Sequence, residues 1–253
     1  MSVALAELLR HLDQTLQPGR FSDYCPNGLQ VEGRPEVARL ATGVTASQAL
    51  LDAAIAWGAD AILVHHGYFW KGEPGPVVGM KRRRLGALLG ADVSLLAYHL
   101  PLDAHPELGN NAKLGQLLDI QDPQLLQPED PGSVGNLGSL AKPLSASALC
   151  ARLQQLTGQV PLLIGDSGTR LQRVAWCTGA AQSYIEAAVA AGADVFITGE
   201  ASEQTVHIAR EEGIHFIAAG HHATERYGVQ AVGEHLAAAF VLEHRFFDVP
   251  NPV

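Results

Sequence analysis

Apolar and polar positions follow two closely similar patterns, one starting at Leu40 and the other at Val174. Each begins with a short apolar run, passes through a small polar turn into an alanine-rich stretch, and reaches a shared Gly-Ala-Asp before a second apolar run, "AILV" or "VFIT". Short apolar runs are typical of buried strands, and the alanine-rich stretches between them are long enough for helices. The pattern predicts a strand–helix–strand unit that is used twice, with parallel strands and right-handed crossovers.

The similarity continues at 93–105 and 214–226, where a predicted strand runs into a histidine-bearing loop in both halves. His99 precedes Asp103 by four residues, and His221 precedes Glu225 by the same spacing. One such spacing arises easily by chance, but two at corresponding places are harder to dismiss. The predicted fold is therefore α/β, with two similar α/β lobes formed from an internal repeat.

The segments outside the repeat complete this picture. The first sixteen residues form an amphipathic pattern, and 144–158 reads as a helix with a serine N-cap and a glycine stop. A Pro-, Gly- and Asp-rich stretch at 119–149 reads as a linker leading into a hairpin, and the chain ends with a helix, a strand and a tail. We expect one unit, 1–253, with lobe 1 at about 1–120, a linker at about 121–140 and lobe 2 at about 141–253.

Composition narrows the class of protein. Of the 253 residues, 47% are hydrophobic and 17% charged, which suits an α/β protein rather than a coiled coil or a disordered chain. The net charge is −9 and the basic residues are scattered, except for the run 81–84. A solvated helix face explains that run better than a nucleic-acid footprint does, so a nucleic-acid partner is not expected.

The three cysteines, Cys25, Cys150 and Cys177, are far apart and odd in number, and they form no CxxC pattern. They predict neither a disulfide framework nor a zinc–thiolate site, and they favour a reducing compartment. The N-terminal segment does not resemble a signal peptide, and no stretch approaches the roughly 18 apolar residues that a membrane helix needs. A cytoplasmic location with no membrane association is therefore expected.

Histidines and carboxylates gather where the predicted strands end. His65 and His66 end the strand 61–64, and Gly67 permits the chain to turn there so that both imidazoles converge. In open parallel sheets, ligand sites lie at the carboxyl ends of the strands. The candidate side chains at such ends are His65, His66, His99, Asp103, Glu200, His221 and Glu225.

Imidazoles and carboxylates without thiolates are a ligand set for Zn, Mn, Fe, Ni or Co. The number of donors exceeds what one ion takes from a protein and suits two divalent ions, with the site between the lobes. The other histidines carry less weight. Surface or packing roles are expected for His11, His207, His215, His235 and His244, whereas His105 and His222 stay open.

Several long motifs also resemble a known family: "NGLQVEG" (27–33), "ILVHHGYFWKG", "AYHLPLDAHPELGNNAKLG" and "ITGEASEQTVHIAREEGIHFIAAGHHATERYG". They are similar to the Nif-three-like family, also known as the GTP cyclohydrolase 1 type 2 homologues, and the match runs nearly end to end. The resemblance implies a dinuclear metal centre and a toroidal homohexamer. The implied ligands are His65, His66, Asp103, His221 and Glu225.

Further roles follow from the same resemblance. His99 and His105 would orient the ligands or bound water, and the short linker resembles the compact form of the family, which lacks an inserted domain. Cys25 and Pro26 stand before Asn27, where the family often has an aspartate, so no role is assigned to that stretch.

The leading functional hypothesis is a two-metal hydrolase of a small nucleotide-like substrate, with His99 or Glu200 as candidate proton carriers. A non-catalytic metal-binding or metal-delivery protein and a scaffold ring are the alternatives. The aromatic loop at 68–71 either covers the site or packs between subunits.

Overall fold

The computed structural model describes residues 1–130 and 132–253, so Pro131 in the predicted linker lies outside the described residues. The chain divides into two compact units. The first contains Met1–Leu102 and Gly228–Pro250, and the second contains Asp103–Tyr227 and Asn251–Val253. The last long helix and the last strand lie in the first unit, although their place in the sequence put them in lobe 2.

Strands alternate with helices along most of the chain. The strands, in chain order, are β1 (Val3–Ala4), β2 (Gly28–Val31), β3 (Glu36–Val37), β4 (Arg39–Thr45), β5 (Ala61–His66), β6 (Ser94–Ala97), β7 (Ile120–Leu125), β8 (Asn136–Ser145), β9 (Leu162–Ile164), β10 (Arg170–Trp176), β11 (Val195–Thr198), β12 (His215–Ala218) and β13 (Glu243–Phe246).

The helices, in chain order, are α1 (Leu5–Leu16), α2 (Gln48–Trp57), α3 (Gly79–Ala91), α4 (Leu100–Ala104), α5 (Asn110–Leu117), α6 (Ala146–Thr157), α7 (Ile185–Ala190), α8 (Glu203–Glu212), α9 (His221–Thr224) and α10 (Arg226–Phe240). Short 3₁₀ turns lie at Pro18–Arg20 and Gln182–Tyr184. In the part of the chain that the structure describes, no helix combines the length and the apolar character needed to cross a membrane.

The sheet of the first unit has the order β13-β4-β5-β6-β2. The first four strands run parallel, and β2 pairs antiparallel with β6. Ile62 and Val64 of β5 belong to one buried cluster with Leu50 and Ala54 of α2 and Leu88 of α3. Strands that are covered by helices read as continuous apolar runs, which is why this strand was recognisable in the sequence.

The sheet of the second unit has the order β7-β8-β10-β11-β12-β9. Its central strands β10, β11 and β12 run parallel, while β7, β8 and β9 pair antiparallel with their neighbours. The predicted α/β class is confirmed, because β4–α2–β5 and β10–α7–β11 are strand–helix–strand units in which the two strands pair in parallel. Much of the segment 121–140 belongs to the hairpin formed by β7 and β8.

The shared Gly-Ala-Asp has the same structural role in each unit. Gly58 and Gly192 follow α2 and α7 with φ of 82° and 69°, a conformation that favours glycine. Asp60 Oδ2 accepts hydrogen bonds from the backbone N–H groups of Ala38 and Arg39, both at 2.8 Å. Asp194 Oδ2 accepts from the N–H groups of Gln172 and Arg173 at 2.9 and 2.8 Å. The glycine of the motif therefore ends a helix, and the aspartate hydrogen-bonds the start of the following strand to the neighbouring strand that precedes the helix.

Two segments predicted as loops are short helices. Asp103 lies on α4, and His221 begins α9. Helices of four or five residues present too few positions for a 3.6-residue period to be visible, so the sequence pattern did not reveal them. In the second predicted pair, His221 Nε2 lies 3.1 Å from Glu225 Oε2, one helical turn away. In the first pair, His99 precedes α4 and clusters with His65 and His66, whereas Asp103 lies near Glu225.

Candidate metal centre

His65 and His66 end β5 in the first unit, where they form a cluster with His99. One nitrogen of each ring lies within 4.8 Å of the others. His65 is fully buried, and its Nδ1 lies 3.0 Å from the carbonyl oxygen of Tyr98. Because a carbonyl oxygen only accepts hydrogen bonds, Nδ1 carries the proton and the lone pair lies on Nε2. This tautomer, with a carbonyl behind the ring, is typical of metal-binding histidines.

Gly67 matters for a different reason from the predicted turn. Its φ is not among the positive values of the chain. A Cβ added to Gly67 would lie 2.6 Å from the Cβ of Ala97 and would also meet Oε1 of Gln30. Gln30 in turn accepts from the N–H of Tyr68 and donates to its carbonyl oxygen. Glycine is therefore required so that Gln30 can hold the start of the aromatic loop.

His99 is hydrogen-bonded to Asp23, a residue that the sequence analysis missed. The distance from His99 Nδ1 to Asp23 Oδ1 is 2.7 Å, and the Asp23 side chain is 3% exposed. Burial raises the pKa of Asp23, but hydrogen bonds from His99 and Asn27 and the nearby charge of His99 outweigh it and lower the pKa to about 2. The carboxylate is therefore ionised at all physiological pH values. It holds the His99 ring with Nδ1 as the donor.

The carboxylate of Asp23 accepts four hydrogen bonds. Its Oδ1 accepts from His99 Nδ1 and the backbone N–H of Tyr24, and its Oδ2 accepts from Asn27 Nδ2 and the N–H of Leu100. Cys25 Sγ also lies within 4.8 Å of Asp23 and His99. That trio is poorly suited to metal, because the carboxylate is already saturated and because burial raises the pKa of Cys25 to about 12, which keeps the thiol protonated.

The aromatic loop after β5 contacts the histidine cluster. The Trp70 ring lies 6.0 Å from the His66 ring and 5.0 Å, edge to face, from the His99 ring, measured between centroids. Its indole Nε1 donates to the carbonyl oxygen of Gly67. Phe69 has φ of 65°, an unusual conformation for a bulky residue. Lys81 Nζ lies over the Phe69 ring, 5.0 Å from its centroid. Trp70 therefore lies against the cluster within one unit, as expected if the loop covers these histidines.

A second cluster, formed by Asp103, Glu200, His221 and Glu225, lies in the second unit. His221 Nδ1 is 2.6 Å from Glu200 Oε1, and His221 Nε2 is 3.1 Å from Glu225 Oε2. Burial lowers the pKa of His221. The hydrogen bond and negative charge of Glu225, followed by those of Glu200, outweigh burial and raise the pKa to about 9. Without a bound cation, the imidazole of His221 therefore carries a second ring proton at neutral pH. A metal ion that binds this ring would displace that proton.

The two buried carboxylates of this cluster face each other closely. Asp103 is 6% exposed and Glu225 is 2% exposed. One oxygen of each lies within 4.8 Å of the other. Asp103 Oδ1 accepts from Asn110 Nδ2 at 2.8 Å and from Thr178 Oγ1 at 3.3 Å. Two buried anions at this distance repel each other unless a cation compensates them, so the donor set fits a divalent ion.

Gly179 allows Glu225 to approach the loop backbone closely. Its φ is 73°, and a Cβ at this position would collide with Glu225 Oε1 and lie 3.3 Å from His221 Nε2. The loop is held in place because its N–H donates to Thr224 Oγ1 and its carbonyl oxygen accepts from Thr198 Oγ1. Glycine at this position therefore lets the Glu225 carboxylate lie directly against the loop backbone, and any side chain here would displace Glu225.

The variant Gly179→Ala tests this close approach. We expect about tenfold weaker metal binding, because the methyl group displaces Glu225, a positioning error of the kind that costs 10–100-fold. Gly192→Ala is the matched control: its φ is 69° and nothing lies within 4 Å of the added Cβ, so it carries the same backbone strain without the collision. Calorimetric titration with Zn²⁺ measures both. Equal affinities for the two variants would contradict the assignment.

The structure thus brings the predicted residues together within each unit. His65, His66 and His99 share one cluster, and Asp103, Glu200, His221 and Glu225 share the other. His105 Nδ1 accepts the backbone N–H groups of Glu107 and Leu108 at 3.2 and 3.0 Å. The ligand assignment itself, and the expectation of one site shared between the lobes, stay predictions.

Each unit has an α/β sheet whose central strands run parallel, and each carries clustered imidazoles or carboxylates that can hold metal, which defines an α/β protein of candidate metal-binding type. The profile of the Duf34/NIF3 (NGG1p interacting factor 3) family matches residues 3–252. The chain belongs to that family.

Relatives support this assignment over the whole chain. A Pseudomonas aeruginosa protein named "GTP cyclohydrolase 1 type 2 homolog" is 58% identical over 252 residues, covering 100% of both chains. The solved structure of protein ybgI, titled as of unknown function, is 51% identical with a TM-score of 0.94, covering 99% of this chain and 100% of that one. The structure of TTHA1606 from Thermus thermophilus is 34% identical with a TM-score of 0.87, at 99% and 100% coverage.

Proposed function

We propose that this protein is a dinuclear metal-dependent hydrolase of a small nucleotide-like substrate. The proposed ligands are His65, His66, Asp103, His221 and Glu225, with Zn, Fe, Mn, Ni or Co as the two divalent ions. The observation that carries the proposal is the close pair of buried carboxylates, Asp103 and Glu225, beside His221. The name "GTP cyclohydrolase 1 type 2 homolog" of the bacterial relatives supports the substrate class only by similarity.

The chemistry divides between the ions and the side chains. When bound, divalent ions lower the pKa of water and polarise the bond under attack. His65 presents Nε2 because Tyr98 holds its Nδ1–H, and Glu200 holds the Nδ1–H of His221 in the same way. A carboxylate behind a ligating imidazole fixes its tautomer and direction. The geometry therefore supports Glu200 as a positioning residue for His221 more directly than as a proton carrier.

His99 is the proposed proton carrier. Asp23 accepts its Nδ1–H, so Nε2 is the nitrogen that accepts a proton, and the ionised carboxylate stabilises the imidazolium that results. Trp70 packs edge-on against the ring and limits its movement. In this proposal, His99 takes a proton from water or returns it to the leaving group, while Asp23 keeps the ring in one orientation.

Elemental analysis combined with a turnover screen tests the proposal. Protein purified without added metal is analysed, treated with a chelator, and reloaded with each candidate ion. We expect close to two divalent ions per chain, and turnover of a nucleotide or phosphoester that chelation removes and reloading restores.

The alternatives give different results in the same experiment. Tight metal binding without turnover across the panel would favour the metal-delivery alternative. Absence of metal binding would contradict the proposal altogether.

Assembly is a separate proposal. The family resemblance predicts a homohexamer, and light scattering coupled to size exclusion tests it through a mass about six times that of one chain. A monomeric mass at micromolar concentration would contradict it.

A further inference from the structure

A cavity of about 360 Å³ lies within the second unit. Its walls come from α5, from β7, from the start of β8 and from Trp176 at the end of β10. Asp103 and His105 also line it. This volume lies at the lower end of the ~300–1,000 Å³ that is typical of small-molecule sites, so one or two fused rings fit.

Backbone geometry forms two of the cavity walls. The pairing of β7 with β8 shifts register between Gln121 and Gln124, and Asp122 in the bulge has φ of 51°. A bulge of this kind bends the strand and re-aims its side chains. On the other side, a Cβ on Gly115 would lie 2.8 Å from Cζ2 of Trp176, so α5 approaches the indole closely. These walls depend on fixed backbone rather than on long flexible side chains.

The polar groups of the lining are mostly uncharged. Gln116, Gln124 and Asn136 offer amides, each of which both donates and accepts hydrogen bonds. His105 adds a donor, because its Nδ1 accepts two backbone N–H groups and the ring proton is left on Nε2. Among the described lining residues there is no lysine or arginine, and Asp103 adds a negative charge. This set of groups disfavours an anionic guest.

We propose that this cavity binds an uncharged planar nitrogen heterocycle. Amides and an imidazole donor match a ring edge that alternates N–H and C=O groups, and Trp176 and Ile120 give it apolar walls. The inference rests on the proposed function, because the cavity would bind the base of the nucleotide-like substrate. Asp103, which we propose as a metal ligand, lines the cavity. Phosphate groups would remain outside the cavity.

Calorimetric titration with hypoxanthine and with uracil tests this inference on the metal-loaded protein. We expect a Kd below about 1 mM for at least one of the two, and no comparable binding of benzoate or inorganic phosphate to chelated protein, in which no metal ion holds an anion. Ala112→Phe places a ring in the cavity and should weaken binding at least tenfold. Lys113→Phe is the matched control, since it adds the same ring to α5 at a position that does not line the cavity.

A second pair of variants covers the case in which Ala112→Phe does not fold. Gln124→Glu changes an exposed side chain of the lining, removes a donor and adds a negative charge, and should weaken binding at least fivefold. Gln154→Glu makes the same change at an exposed position on α6 outside the lining. Unchanged affinity in Gln124→Glu would overturn the inference.

Metal content measured on the same samples separates the two proposals. Metal-loaded protein with turnover but without binding of either heterocycle would overturn the cavity inference and leave the proposed function standing. Heterocycle binding that survives chelation, combined with failure to find turnover with any metal, would support the cavity and contradict the hydrolase. Stronger binding of phosphate or benzoate than of the heterocycles to chelated protein, in which no metal ion holds an anion, would overturn the choice of ligand.

Discussion

If Asp103 is a ligand as proposed, the substitution Asp103→Asn is expected to abolish turnover and to weaken metal binding by at least about 100-fold. Loss of a group that only supports a ligand costs about 10–100-fold, and this change removes the charge of the proposed ligand itself. The amide has nearly the same volume as the carboxylate, and its oxygen can still accept from Asn110 and Thr178. Packing is therefore retained, and the loss is specific to the cation.

The same variant makes an opposite prediction for the metal-free protein. One oxygen of Asp103 lies within 4.8 Å of an oxygen of Glu225, and both side chains are buried. Removing one of the two charges relieves their repulsion, so metal-free Asp103→Asn should unfold at the same temperature as wild type or higher. Added metal should raise the midpoint of wild type and leave that of the variant unchanged.

Thermal unfolding with and without chelator, together with elemental analysis, measures both effects. Asp122→Asn is the matched control, because it removes the same charge from an exposed position on β7. A metal-free Asp103→Asn protein that is clearly less stable than wild type would indicate that this carboxylate has a purely structural role.

The substitution Asp23→Asn is expected to lower the free energy of unfolding by about 2 kcal/mol or more, since unsatisfied buried donors cost about 1–3 kcal/mol each. Each oxygen of Asp23 accepts two hydrogen bonds. Whichever way the asparagine turns, its NH₂ group therefore faces a backbone N–H that can only donate, that of Tyr24 or that of Leu100. Turnover should also fall, because His99 loses the anion that orients it.

The effect of Asp23→Asn should depend on pH with a defined sign. The folded pKa of Asp23 is lowered from 3.8 to about 2, so its contribution is fully present above pH 4. It is lost as the pH falls from about 4 through about 2, and the shift corresponds to about 2 kcal/mol. The stability difference between wild type and Asp23→Asn should therefore shrink on acidification.

Calorimetric unfolding between pH 7 and pH 3 measures this difference. Asp13→Asn is the control, because this exposed aspartate accepts one hydrogen bond from Tyr98 Oη that an asparagine oxygen can keep. A difference between wild type and Asp23→Asn that stays constant with pH would refute the linkage.

The parallel strands were visible in the sequence because burial on both faces leaves continuous apolar runs. The Gly-Ala-Asp motif revealed that the pattern occurs twice, and its hydrogen bonds at Asp60 and Asp194 show why those residues recur. Strand pairing was less accessible. Periodicity indicates that Glu243–Phe246 is a strand, but the pattern contains no information that its neighbour is β4, about two hundred residues earlier in the chain.

The candidate ligands were predictable because they follow recognisable strand ends, whereas the residues that support them were not. Asp23 lies in an irregular loop before β2, where no periodicity marks an aspartate as buried. Gly179 resembles any other turn glycine until the position of Glu225 is known. These residues act through contacts distant in sequence, and a single sequence does not report them.

The position of β13 has a consequence for synthesis on the ribosome. This strand completes the sheet of the first unit beside β4, so that sheet lacks an edge strand until residues 243–246 have been translated. Nearly all of the second unit is one continuous stretch, 103–227, and emerges earlier. We therefore expect residues 103–227 to fold before the first unit is complete, and β4 to keep an unpaired edge until β13 has been synthesised.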